Sequence, residues 1–137
     1  MAFVNVMEYV TIASTGNATD FGNLSTVRAN VGAVSNSTRG VCGGGRNPTF
    51  VNVIEYITIA STGDTTDFGD LTGTRSYLAG ANDITRGVFA GGSTPSISNV
   101  MDYITIASTG DATDFGDLIT AKIYLSGFSD SHGGLKG

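Results

Sequence analysis

Three cations recur at one spacing: Arg28, Arg75 and Lys122 lie 47 residues apart. Gathered around one mouth of a channel, they would focus an anionic ligand in a chain whose formal net charge is −5. The competing reading is that each cation pairs with an acid on a neighbouring unit, and the sequence leaves both open. Asp111, Asp114 and Asp117 offer oxygen ligands, but calcium loops alternate their ligands at closer spacing. Asn17 and Asn23 also stand in the first copy where Asp111 and Asp117 stand in the third. These side chains are therefore read as turn caps that bond their own backbone, and no metal or cofactor is expected. Cys42 cannot form an intrachain disulfide, because it is the only cysteine. It matches Phe89 in the next copy and reads as a buried thiol on a strand. The one histidine, His132, has no serine–acid or thiol partner at catalytic spacing, so no catalytic residue is assigned.

These residues are positioned by a stretch that occurs three times. It reads NVMEYVTIASTGNATDFGNL from Asn5, NVIEYITIASTGDTTDFGDL from Asn52 and NVMDYITIASTGDATDFGDL from Asn99. From Tyr9 to Leu24, twelve of sixteen positions are identical in all copies, which is the signature of a repeat architecture. The complete unit from Ser25 to Leu71 divides into four strands: Val27 to Ser35, Thr38 to Gly43, Phe50 to Ala60 and Thr66 to Leu71. Alternating apolar and polar residues, β-branched content and glycine-rich turns favour strands throughout and predict no helix. Four short strands per unit is the pattern of a β-propeller blade. The first strand carries Ala29, Gly32 and Ala33, then Ala79, Gly80 and Ala81 in the next copy. Such small residues suit the innermost, most crowded position.

Composition narrows the function classes. Hydrophobic residues make up 40% of the 137 residues and charged ones 14%, enough to bury a core. The acidic balance argues against nonspecific nucleic-acid binding. No apolar run approaches membrane-spanning length, and no basic segment precedes an apolar one at the start, so neither a membrane span nor a secretory signal is expected.

The string TRGVFAGG from Thr85, then NVMDY from Asn99 and DFGDL from Asp114, resembles the kelch repeat. Kelch has tryptophan where this chain has Phe21, Phe68 and Phe115. The phrase Y-[IV]-T-I-A-S-T-G-x-x-T-D-F-G is similar to kelch-like repeats in structural proteins of tailed phages, particularly marine ones. The resemblance implies an all-β propeller of four-stranded blades and a place in a virion or its host-recognition apparatus.

In the repeat frame residues 25–71 and 72–118 are complete blades, residues 1–24 supply the outer two strands of a third, and residues 119–137 supply its inner two. Three blade equivalents cannot close a ring, since propellers have about four to eight blades. Two chains would give six, so the expectation is a homodimer that shares two hybrid blades. Arg39 and Arg86 open the second strand, and Asp67 and Asp114 lie near the start of the fourth. They are expected to bridge as Arg39–Asp67 and Arg86–Asp114. In the hybrid blade His132 and Gly133 replace the Thr-Arg pair.

Two functions follow. The first is a non-enzymatic binding or structural module, with a glycan or anion held by Arg28, Arg75 and Lys122 and by the variable loops. Those loops carry Arg46 and Asn47 in one copy and Ser93 and Thr94 in the next. The alternatives are an enzyme acting in the channel, or a fragment or engineered half-propeller with no ligand of its own.

Overall fold

In the computed structural model, residues 3–129 are described. They form ten strands in three antiparallel sheets, with one further two-residue hairpin and no helix. Strands β1 (Val6–Tyr9) and β2 (Thr19–Asn23) make a two-stranded sheet. Strands β3 (Gly32–Ser35), β4 (Arg39–Gly43), β5 (Val53–Thr58) and β6 (Thr66–Asp70) make a four-stranded meander in chain order. Strands β7 (Ala79–Asn82), β8 (Arg86–Ala90), β11 (Val100–Thr105) and β12 (Thr113–Asp117) repeat it. The small hairpin of β9 (Ser93–Thr94) and β10 (Ser96–Ile97) is inserted between β8 and β11.

The strand boundaries follow the sequence reading except in two places. The first strand of each unit begins late, at Gly32 and Ala79. Asn30 and Tyr77 precede it with φ of 63° and 62°, and Tyr124 takes 57° at the same repeat position. A residue with left-handed φ cannot continue a strand; Asn favours that conformation but Tyr does not, so the repeated position does not announce it. The third strand is shorter than Phe50–Ala60, because Ile59 and Ala60 already enter the turn to β6.

The Asp-Phe-Gly triplet has a specific task. Ile54 pairs with Gly69 and Glu55 with Asp67, so Phe68 is the extra residue of a β-bulge. The register shifts at the same place in all three copies, at Met7/Glu8, Ile54/Glu55 and Met101/Asp102. Gly69 has φ of 145°, and a Cβ there would lie 2.4 Å from the Gly110 carbonyl oxygen, so only glycine fits. That approach joins successive units at their outer strands. Gly110 donates its amide to the Phe68 carbonyl at 2.7 Å, as Gly63 does to Phe21 at 2.7 Å.

The core lies between the two four-stranded sheets and includes Val34, Val41, Ile54, Phe68, Leu78, Phe89 and Ile104. Phe89 is fully buried against the face bearing Gly32, Gly43 and Ile54. The first strands of successive units run side by side, and a Cβ on Gly80 would stand 2.0 Å from the Ala33 carbonyl oxygen. The small residues of this strand are therefore required by backbone-to-backbone approach. Each unit also packs a tyrosine edge-on to the bulge phenylalanine, with centroids 6.0 Å apart in Tyr9–Phe21, Tyr56–Phe68 and Tyr103–Phe115.

Candidate functional site

Two of the three repeated cations, Arg28 and Arg75, point inward. Arg28 is buried in an ion pair with Glu55, and Arg75 in one with Asp102. Each acid stands at the register shift of its bulge, and its arginine lies just before the first strand. Arg75 also donates through Nη1 to the Gly91 carbonyl at 3.0 Å and the Val100 carbonyl at 2.7 Å. Arg28 donates to the Val53 carbonyl at 3.3 Å. The remaining carboxylate oxygens are also satisfied: Ser25 donates its amide to Glu55 at 3.1 Å, and Thr72 its hydroxyl to Asp102 at 2.6 Å. Neither guanidinium is a free cation, which corrects the anion-ring expectation for Arg28 and Arg75. The acids belong to the same repeat unit and not to a neighbouring one. Lys122, at the equivalent position, is exposed. The signal for these pairs was present as an acid 27 residues after each arginine.

The expected Arg39–Asp67 and Arg86–Asp114 bridges do not form. Asp67 and Asp114 are exposed. The Arg39 guanidinium instead lies 4.3 Å from the Tyr56 ring centre and donates to the Ile106 carbonyl at 3.1 Å, while that of Arg86 lies 4.7 Å from the Tyr103 ring. His132 and Gly133 lie outside the described residues. Asp111 does not cap its own turn either: its Oδ1 accepts the Asp70 amide of the preceding unit at 3.0 Å, as that of Asp64 accepts Asn23 at 2.9 Å. Among the described residues no three His, Cys, Asp or Glu side chains cluster as metal ligands. Local capping is found instead at Asp83, which the sequence reading did not single out: it accepts the Arg86 and Thr85 amides, which hold its carboxyl below the usual range.

Each variable loop packs against a segment that leads into a first strand. Ala29 and Arg46 form a bridge, and the Arg46 guanidinium sits 5.4 Å from the Tyr77 ring centre. Asn47 donates its amide to Thr49 at 2.9 Å and is half-buried. In the next unit Ser93 is buried and bridges Ser76, while the Thr94 and Thr74 hydroxyls meet at 3.0 Å. A notch lined by Tyr103, Thr105, Ser108 and Asp111 has a volume near 330 Å³, and one lined by Tyr9, Thr11, Ser14 and Asn17 near 130 Å³. No known family profile matches the chain, and no curated protein is significantly similar to it.

Cys42 lies on β4 as expected but is half-buried and not fully buried, with its sulfur 3.8 Å from Arg28 Nη2. Burial pushes the thiol pKa up, and the nearby guanidinium only partly offsets this. The thiolate is the reactive form, so labelling by a maleimide at neutral pH is expected to be slow in native buffer. The rate should rise by roughly tenfold or more in denaturant, where the thiol returns to its ordinary pKa near 8.5 and full exposure. Equal rates in the two conditions would contradict this placement.

Proposed function

We propose that this chain is a non-enzymatic scaffold module, a kelch-like β-propeller that presents variable loops to a ligand. In this reading each four-stranded meander is a blade, β3 and β7 are innermost, and a second copy completes a six-bladed ring. Adjacent first strands, together with outer strands stitched to the next unit's turn, favour stacking of blades around an axis. The observation that carries the functional reading is the fate of the charged groups. Arg28, Glu55, Arg75 and Asp102 are locked in buried pairs that hold each unit together, whereas the loops after β4 and β8, Arg46-Asn47-Pro48-Thr49 and Ser93-Thr94-Pro95-Ser96, differ in sequence on the same frame. Variation on a rigid frame is where binding resides.

The kelch-like and phage resemblance favours a role in a virion or its host-recognition apparatus, and a glycan is the ligand we propose for the loop face. The test is a glycan array run beside a glycosidase and esterase screen on the same sample. Binding without turnover is expected, and exchanging Arg46-Asn47-Pro48-Thr49 with Ser93-Thr94-Pro95-Ser96 should change the bound set. Turnover of any bound glycan, or loop exchange without effect on binding, would overturn the reading.

A further inference from the structure

The open side of the two-stranded sheet has a specific complement elsewhere in the chain. In the four-stranded sheets β5 and β11 each pair on both edges, with β4 and β6 or with β8 and β12. Among the described residues β1 pairs only with β2, and the face beside its open edge is a groove of about 340 Å³ lined by Met7, Gly40, Cys42, Ile57 and neighbours. Exposed sheet edges invite strand pairing.

Charge identifies what fits there. Glu8 occupies the repeat position of Glu55 and Asp102, which are buried, yet Glu8 is exposed. Lys122 occupies the position of Arg28 and Arg75 and is exposed too. Among the described residues neither has an ion-pair partner. Lys122 is nonetheless seated as its equivalents are. Its amide donates to Ser98 at 3.2 Å, as that of Arg28 does to Val4 at 3.3 Å and that of Arg75 to Val51 at 3.0 Å. What it lacks is the acid, and Glu8 is the acid of matching register.

Side-chain volume gives the same answer independently. Between the two four-stranded sheets, Phe89 fills the space and Val34 packs against Gly87, whose Cβ would lie 2.4 Å from a Val34 methyl. On the open side Cys42 stands in place of Phe89, which leaves the groove. At the repeat position of Val34 the chain carries Phe128, whose side chain is 95% exposed. A phenyl ring is missing from one wall and present on the matching one.

We propose that a second copy of this chain lays its 119–129 segment over the groove beside β1, with its Lys122 paired to Glu8 and its Phe128 laid over Gly40 beside Cys42. The proposal rests on the ring reading above and names its seam. By two-fold symmetry the contact occurs twice.

The test uses the full chain and reads mass by light scattering across a dilution series. Glu8→Lys alone and Lys122→Glu alone should each weaken association at least tenfold, and the double variant should restore it. Both positions are exposed, so the single chains should keep their β-sheet circular dichroism. In a second measurement, Ser126→Cys, which takes the repeat position of Gly32 opposite Phe89, should form a disulfide with Cys42 of the other copy under mild oxidation. Cys42→Ser should abolish that crosslink. A monomeric wild type would overturn both the ring and the seam. A wild-type dimer indifferent to both charge reversals and to the crosslink would overturn the seam and leave the ring. An intrachain 42–126 disulfide would show that the segment folds back on its own chain and would overturn the second-copy occupant.

Discussion

Arg75→Met is expected to destabilise the fold by about 3–5 kcal/mol, because it leaves the fully buried Asp102 carboxylate without its cation. Against a typical domain stability of about 5–15 kcal/mol, that is a large share. It should appear as a fall in melting temperature of roughly 10–20 °C. The loss arises mainly from stranding a charge in a dry site. Removing both partners should therefore be far milder, and Arg75→Met with Asp102→Leu should recover most of the stability. Thr72 would then lose its acceptor, but as the less buried member it can turn toward water. Denaturant titration of the three variants checks this. A single variant within 1 kcal/mol of the parent would show that the pair is not as buried as the geometry places it.

Gly80→Val is expected to cost on the order of 3 kcal/mol or more, by a different route. The added Cβ would meet the Ala33 carbonyl oxygen at 2.0 Å, and a similarly close backbone approach recurs where a Cβ on Gly127 would meet the Gly80 carbonyl at 2.2 Å. Both obstacles are backbone, so no rotamer change relieves them. Gly73→Ala is the control: nothing lies within 4 Å of its Cβ direction, and the change should stay within about 0.5 kcal/mol. Equal melting curves for the two variants would show that successive first strands do not approach as described.

Much of this architecture was legible because the chain states it three times. Thr-Arg-Gly and Asp-Phe-Gly bracket strands whose alternation is local, so β4, β6, β8 and β12 fall where the pattern puts them. The left-handed residue before β3 and β7 was not legible, since Asn30 and Tyr77 share no turn chemistry and the conformation is imposed by contact between units. Tyr77 donates its amide to Asn30 at 3.0 Å across that boundary. Charge pairing was misjudged for a related reason. Arg39 and Asp67 share one end of the unit, but proximity in a strand diagram does not say which face a side chain takes. Arg39 turns onto the Tyr56 ring, while Arg28 pairs with Glu55 in the interior. The equal offset from Arg28 to Glu55 and from Arg75 to Asp102 held that information. It also relates Lys122 to Glu8 once the repeat frame is applied.

On the proposed reading these units would stack as blades of a ring completed by a second chain. Folding and association would then be linked, with thermal stability rising with protein concentration. The most direct measurement is the solution mass of the unmodified chain by sedimentation equilibrium. The account predicts a single species of about twice the 14.0 kDa chain mass. A well-folded species at the mass of one chain, unchanged from the highest to the lowest concentration, would contradict it.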